Sequence, residues 1–326
     1  MADTLITFDH VKKTYDSKQA VDDVSFTVNR GEIFVLVGAS GSGKTTTLRM
    51  INELLEPTDG NIYFNGKRIK DYNVRELRLQ TGYVLQQIAL FPNMTVAQNV
   101  ALIPSMKKQS KADTSTLVDQ LLNDVDLDPQ TYRDRMPDEL SGGEQQRVGI
   151  LRAFAGQPQI VLMDEPFSAL DPISRTQLQN LVIDIHHRLN TTVVFVTHDM
   201  DEALKLGDRI GVMRLGKLLQ VGTPDEIVRH PADQFVQRLF ENSMAHDVYH
   251  VLLSKLAVMG YLQDVNDLGT SATNDDRVTL TGDQTVSDAL TPLENNNAVL
   301  IQSEGGPARL LTRDQLFKFI GDYRSH

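Results

Sequence analysis

The octapeptide Gly38-Ala39-Ser40-Gly41-Ser42-Gly43-Lys44-Thr45 constrains this chain more than any other stretch, because of what flanks it. It follows the apolar run Ile33-Phe34-Val35-Leu36-Val37 and precedes a helical stretch from Thr46 to Leu54. Strand, glycine loop and helix in that order form a phosphate loop. Glycines at 38, 41 and 43 let the backbone turn sharply and offer its N–H groups to phosphate oxygens without interference from a Cβ. The helix starting near Lys44 adds its positive dipole end. Lys44 is positioned to reach β- and γ-phosphates, and the Thr45 hydroxyl to take one place on Mg²⁺.

A second phosphate element is the buried-type strand Ile160-Val161-Leu162-Met163, which ends in two adjacent carboxylates, Asp164 and Glu165. Successive residues at a strand end diverge, so the two can do separate jobs. Asp164 is placed to hold Mg²⁺ through water, and Glu165 to point toward a water attacking the γ-phosphate. Alone, the pair would read as an acidic strand end on the surface. A third element, Leu140-Ser141-Gly142-Gly143-Glu144-Gln145-Gln146-Arg147, is a glycine turn opening a helix whose N-terminus favours an anion.

Together these three motifs resemble those of ABC-type ATPases. The resemblance covers about the first 240 residues and carries further positions with it. Tyr15 matches the aromatic that stacks on adenine. Gln86, in Val84-Leu85-Gln86-Gln87, matches the glutamine that touches Mg²⁺ and the attacking water while opening a mobile loop. Ser168-Ala169-Leu170-Asp171 matches the loop that contacts the opposite subunit, and His198 the switch histidine at the γ-phosphate. Gly38 through Thr46 then hold ATP in one chain, while Ser141, Gly142, Gly143 and Asp171 serve the ATP of a second copy arranged head to tail. The stretches Asn52-Glu53-Leu54-Leu55-Glu56-Pro57-Thr58, Tyr83 to Pro92 and Met163 to Pro172 look like the quaternary-amine subfamily. Its members are importers of glycine betaine, carnitine or choline, and none of these residues would touch the solute.

With 326 residues and 40% hydrophobic content, the chain can bury a full core, and its length suggests two domains. A net charge of −11 and the lack of a basic stripe argue against nucleic-acid binding. With no cysteine there is no disulfide and no thiolate metal site, which fits a reducing compartment. The start Met1-Ala2-Asp3-Thr4-Leu5 lacks a secretory pattern, and no apolar run approaches the roughly twenty residues that span a bilayer. The resemblance therefore implies a peripheral subunit at the cytoplasmic face of the cell membrane. Its partners would be a membrane permease and, indirectly, an extracellular substrate-binding protein. An importer of another small solute (amino acid, polyamine) is the alternative. A DNA-repair ATPase would need coiled coils or zinc cysteines, and a translation factor would carry two cassettes; this chain has neither.

The expected fold is α/β: a parallel-sheet core with strands at Ile33, Tyr83, Ile160, Thr192 and Ile210, and an antiparallel β-subdomain from Ile6 to Val28 with a hairpin turn at Asn65-Gly66. A helical subdomain over about 88–157 includes Thr95 to Ile103 and Thr114 to Val125, where apolar spacings are near three and four. By resemblance this insert receives the membrane partner, with Leu90-Phe91-Pro92 and Thr95 to Ile103 as the expected contact. His186-His187 reads as a solvated helix face rather than a metal site.

A boundary is expected at the polar patch Glu241-Asn242-Ser243, giving domains 1–240 and 241–326, with a loop over Asp264 to Asp276. From Val278 the order β, α, β, β, α, with a turn at Gly305-Gly306-Pro307, resembles a single cystathionine-β-synthase-type (CBS) regulatory repeat. Arg309 and Gln315 depart from that family's closing pattern, which has Gly and a ribose-binding Asp there. A dimerising or structural tail is an equally open reading.

Overall fold

The computed structural model describes residues 3–16, 18–86, 89–168, 170–246, 251–264, 278–302 and 308–324. Gln87, Ala169, most of the expected loop to Asp276 and the turn at Gly305-Gly306-Pro307 lie outside them. The chain divides into two compact units, Met1–Gln237 and Arg238–His326.

The first unit opens with strands β1 (Thr4–Tyr15) and β2 (Lys18–Asn29), then β3 (Ile33–Val37) and helix α1 (Lys44–Met50). Next come β4 (Asp59–Phe64), β5 (Lys67–Arg68), α2 (Val74–Leu79) and β6 (Thr81–Val84). A helical run follows: α3 (Val96–Met106), α4 (Lys111–Asp124), α5 (Pro129–Tyr132) and α6 (Gly142–Ala155). Then β7 (Ile160–Asp164), α7 (Pro172–Leu189), β8 (Thr192–Thr197) and α8 (Met200–Leu206) alternate. The hairpin β9 (Arg209–Arg214) and β10 (Lys217–Gly222) leads to α9 (Pro224–Arg229), and α10 (Gln234–His246) begins in the first unit and ends in the second.

Strands β1 to β5, without β3, form an antiparallel sheet in the order β2-β1-β4-β5; the others form a six-stranded sheet, β10-β9-β3-β8-β7-β6. In the larger sheet β9, β3, β8, β7 and β6 run parallel, and only β10 is antiparallel. Every residue of β3, β7 and β8 is buried, the pattern of strands covered on both faces. The two sheets share one apolar core. Phe8 stacks on Phe26 at 4.4 Å between ring centroids, and Phe26 on Phe34 of β3 at 5.1 Å, so three aromatic rings bridge the sheets. Burying such a ring contributes about 1.5–3 kcal/mol. The β4–β5 turn has positive φ at both Asn65 and Gly66, as a two-residue hairpin requires.

The helical insert is fastened by one buried polar side chain. Asn99 on α3 accepts from Phe91 N at 2.9 Å and donates to the carbonyls of Phe91 (3.2 Å) and Met94 (3.0 Å). That anchors the loop entering α3, whose N-terminus carries a Thr95–Gln98 capping box. The α3 face with Val96, Asn99 and Val100 is buried inside the insert. Of the residues expected to meet a partner, Leu102 and Ile103 border a groove of about 430 Å³ together with Leu85, Arg152 and Pro158, and Phe91 is 44% exposed.

The run Glu241-Asn242-Ser243, where the boundary is expected, is helical, since α10 continues through it to His246. One sequence reading needs correction. His186 is not solvated: it is 4% exposed, and its Nδ1 lies 2.7 Å from the Thr191 carbonyl oxygen, which ties the end of α7 to β8. Only His187 keeps to the surface. Among the described residues no cluster could hold a metal through His, Cys, Asp and Glu alone.

The second unit contains α11 (Leu253–Val258), β11 (Gln263–Asp264), β12 (Thr279–Thr281), α12 (Val286–Asn295), β13 (Ala298–Gln302), β14 (Arg309–Thr312) and α13 (Arg313–Arg324). Its sheet runs β11-β14-β13-β12, packed through Leu253, Leu293, Val299, Ile301, Leu311 and Phe319. The order from β12 on is the expected β, α, β, β, α; α11 and β11 were not read from the sequence. Gln315 Oε1 accepts from the backbone N and the hydroxyl of Thr312, both at 3.0 Å, so this amide caps the start of α13.

Candidate functional site

The phosphate loop leaves the buried strand β3 and re-enters order at α1, and its glycines are used where a side chain could not go. Gly43, the residue before α1, has φ 104°, and a Cβ there would meet the Ala20 carbonyl oxygen at 2.5 Å. Gly38 has φ 151°, and its Cβ would collide with the Met213 carbonyl oxygen. Strand β9 thus presses the loop from behind, and only glycine lets the loop lie so close to it.

Above the loop opens a cavity of about 840 Å³ lined by Tyr15, Lys18, Ala20, residues 39–46, Gln86, Glu165 and His198. Five separate stretches of sequence, the β1–β2 hairpin counted as one, therefore converge on one volume. Lys44 is 5% exposed and donates to the carbonyls of Gly38 (2.7 Å) and Ala39 (3.2 Å). Burial pulls its ammonium below the ordinary lysine range, while Glu165 and Asp164 push the other way. Ser42 Oγ is buried without a hydrogen-bond partner among the described residues, an orphan that an incoming phosphate oxygen could satisfy.

Asp164 and Glu165 diverge, and the backbone shows how. Asp164 is 2% exposed; Oδ1 accepts from the Thr45 hydroxyl at 2.8 Å, and Oδ2 faces Arg49 Nη2 at 3.3 Å. Glu165 then takes φ 45°, which swings its side chain out of the sheet's line. Its Oε2 lies 3.1 Å from His198 Nδ1 and accepts from Gln86 Nε2 at 3.4 Å. One carboxylate thus sits inside the hydroxyl–guanidinium pair, and the other stands at the cavity wall between an imidazole and an amide. Tyr15 is 42% exposed at the cavity rim, with Lys13 Nζ 5.1 Å from its ring centroid.

The glycine turn before α6 is elsewhere. Ser141 caps α6 with a reciprocal box: its backbone N donates to Glu144 Oε2 at 2.7 Å, and its hydroxyl accepts from Glu144 N at 3.4 Å. Ser141 and Gly143 line a separate cavity of about 210 Å³ with Tyr132, Arg147, Leu170 and Ser174. The two cavities share no residue, so Ser141, Gly142 and Gly143 do not meet the phosphate loop of their own chain. Asp171 is also outside the larger cavity. It caps α7, accepting from Ile173 N and Ser174 N at 3.1 Å each, and hydrogen bonding, from the Ser174 side chain first and then from the Ser174 and Ile173 backbone, holds its carboxyl below the usual range.

Sequence reasoning missed Lys18 and Ala20 of the cavity wall, and also Arg49 and Tyr83. Lys18 carries no motif, but it follows Tyr15 across the β1–β2 turn. Arg49 lies on the helix of Lys44 and Thr45, close enough to have been tested against Asp164. Tyr83 is pushed up to about 12, first by burial and then by the charge of Asp164.

A protein-family model described as ABC transporter matches residues 21–168. The choline transport ATP-binding protein OpuBA of Bacillus subtilis (strain 168) is 45% identical over 293 residues, covering 88% of this chain and 72% of that protein. The glycine betaine/carnitine/choline transport ATP-binding protein OpuCA of the same organism is 49% identical over 234 residues, or 72% of this chain; the match spans only 61% of that longer protein. Among solved structures, a dimeric ATP-binding cassette in a post-hydrolysis state bound to ADP and Pi superposes with a TM-score of 0.61 at 32% identity. That match covers 68% of this chain and 99% of the other.

Proposed function

This chain belongs to the ABC transporter family of ATP-binding proteins, and on that premise we propose that two copies meet head to tail, bind ATP between them and hydrolyse it to power import of a quaternary-amine osmoprotectant. The solute class is glycine betaine, carnitine or choline, by similarity to relatives that bear those names. The membrane path belongs to a permease at whose cytoplasmic face this subunit docks, and a substrate-binding protein delivers the solute from outside. No helix among the described residues is long and apolar enough to cross a membrane.

The observation that carries the reading is the separation of the two anion-binding elements. The cavity above the phosphate loop holds Lys44, Glu165 and His198, while Ser141 and the glycines after it sit at another site. A second copy placed head to tail brings its Ser141 turn over the first copy's cavity and completes the site. The backbone amides of the loop, Lys44 and the Ser42 hydroxyl bind the phosphates, and Tyr15 stacks on the base. Glu165 orients and deprotonates the attacking water, with His198 and Gln86 holding the carboxylate in place.

The residues present also suit Mg²⁺. Thr45 Oγ1, the Asp164 carboxylate and the Gln86 amide oxygen are hard donors, and the Thr45–Asp164 hydrogen bond already draws two of them together. When bound, the ion offsets the charge of the β- and γ-phosphate oxygens. Gln86 stands at one end of the segment leading to Phe91 and the groove beside Ile103, which suits it to report the permease to the nucleotide. Reconstitution with the co-purifying membrane subunit tests the whole reading. ATPase activity should rise with glycine betaine, carnitine or choline, and a response to amino acids or polyamines alone would replace the solute class.

A further inference from the structure

The hydrolysis site uses His198, but the segment that carries it holds a buried carboxylate with no part in that chemistry. Glu202 on α8 is 4% exposed, and burial raises its carboxyl above the usual range. Its Oε2 accepts from the Thr197 hydroxyl at 2.6 Å, and Thr197 Oγ1 in turn accepts from Asp199 N at 3.0 Å. His198 is therefore flanked on both sides by residues bound into one network. A buried carboxylate needs a partner. Here the counter-charge comes from another element: Arg175, in the first turn of α7, has its Nε 4.0 Å from Glu202 Oε1.

The same guanidinium reaches two further points. Nη1 donates to Asp199 Oδ2 at 3.3 Å, and Nη2 donates to the Leu170 carbonyl at 3.4 Å. Leu170 precedes Asp171 in the loop expected to face the second copy. Both helices have their own N-caps, Asp171 for α7 and Asp199 for α8, so neither needs Arg175 to start. All three guanidinium contacts are at the long end of the hydrogen-bond range or beyond it, and Nε makes no hydrogen bond among the described residues.

We propose that Arg175 is a positioning residue that ties the loop at Leu170 to the segment around His198, so that contact from a second copy sets the alignment of His198 on Glu165. This rests on the head-to-tail dimer above. Arg175 does not touch the reacting atoms; it acts through Asp199, Glu202 and Thr197 on the imidazole whose Nδ1 lies 3.1 Å from Glu165 Oε2.

The test uses the full chain and three variants. Arg175→Met should lower kcat about tenfold, because sub-ångström misplacement of a catalytic group costs a sizeable part of the roughly hundredfold lost per ångström. KM for ATP should stay within about twofold, since no nucleotide contact is removed. Arg175→Lys should restore part of kcat, because an ammonium can hold one of the carboxylates but not the three-way fork. In a His198→Ala background Arg175→Met should add no further loss, as expected when one residue acts through the other. An equal loss with and without His198 would overturn the proposal, and so would an unchanged kcat.

Should Arg175→Met fail to fold, Glu202→Gln replaces it: the amide oxygen keeps the Thr197 bond and removes only the charge facing Arg175. A severalfold fall in kcat at constant KM supports the proposal, and a wild-type kcat refutes it. The dimer reading is checked separately with Glu165→Gln alone. If ATP leaves that variant monomeric, the dimer fails before Arg175 is touched; if it dimerises, the Arg175 results stand by themselves.

Discussion

Replacing Glu165 by glutamine removes charge and basicity while changing almost nothing else. The side chain keeps its length, and an amide oxygen can still accept from Gln86 Nε2 and from His198, now 3.4 Å and 3.1 Å from the carboxylate oxygen. The strained backbone at φ 45° is unaffected, because the change lies beyond Cβ. Position is retained, so the loss measures what the carboxylate does as a base. Positioned general bases contribute about 10²–10⁴-fold, which at about 1.36 kcal/mol per decade is about 2.7–5.5 kcal/mol of barrier. Phosphate release should therefore fall at least about a hundredfold. ATP binding should persist or tighten, since a negative charge has left the neighbourhood of the phosphates. Size-exclusion chromatography with ATP should show an accumulated dimer, because hydrolysis no longer reopens it. Near-normal turnover in Glu165→Gln would remove Glu165 from its role and, with it, the separation of tasks between Asp164 and Glu165.

Four other outcomes follow from the same geometry. Ser141→Arg should abolish the ATP-dependent dimer while leaving nucleotide affinity of the single chain intact, measurable with a fluorescent nucleotide; full-rate hydrolysis by a monomer would contradict it. Gly43→Ala should cost on the order of 1–3 kcal/mol in unfolding free energy from backbone strain alone. It should also abolish nucleotide binding, since the new Cβ would meet the Ala20 carbonyl oxygen at 2.5 Å. Tyr15→Ala should weaken ATP binding by about 1–3 kcal/mol, the usual worth of a base–aromatic stack, with kcat unchanged at saturation. Asp164→Asn should remove most of the Mg²⁺ dependence of nucleotide binding and leave metal-free binding within severalfold; an unaltered Mg²⁺ titration would count against the metal role of Asp164.

Much of the site was legible in the chain because its parts are local. A phosphate loop is a strand end, three glycines and a helix start within a dozen residues, so its conformation follows from backbone sterics that sequence displays directly. The divergence of Asp164 and Glu165 was readable for the same reason, although the positive φ of Glu165 was not. His186 was misread because period and neighbours describe a helix face without saying what covers it; its burial depends on the Thr191 carbonyl after the helix ends. The course of α10 through Glu241-Asn242-Ser243 was not read from the sequence, because a polar patch does not show whether a helix runs through it.

The sequence by itself determined the family, the phosphate loop, the pair of carboxylates and the order of the elements, since each is written in contiguous residues with fixed spacing. Only the tertiary structure decided that Arg49 holds Asp164, that Lys18 and Ala20 join the cavity wall, and that Arg175 spans from Leu170 to Glu202. These are meetings between residues far apart in the chain, 115 positions for Arg49 and Asp164, and that pair is brought together by parallel strands whose ends align along one edge of a sheet. Spacing along a chain carries no record of such meetings, because the crossover helices that set them can vary in length without changing which strand ends lie side by side.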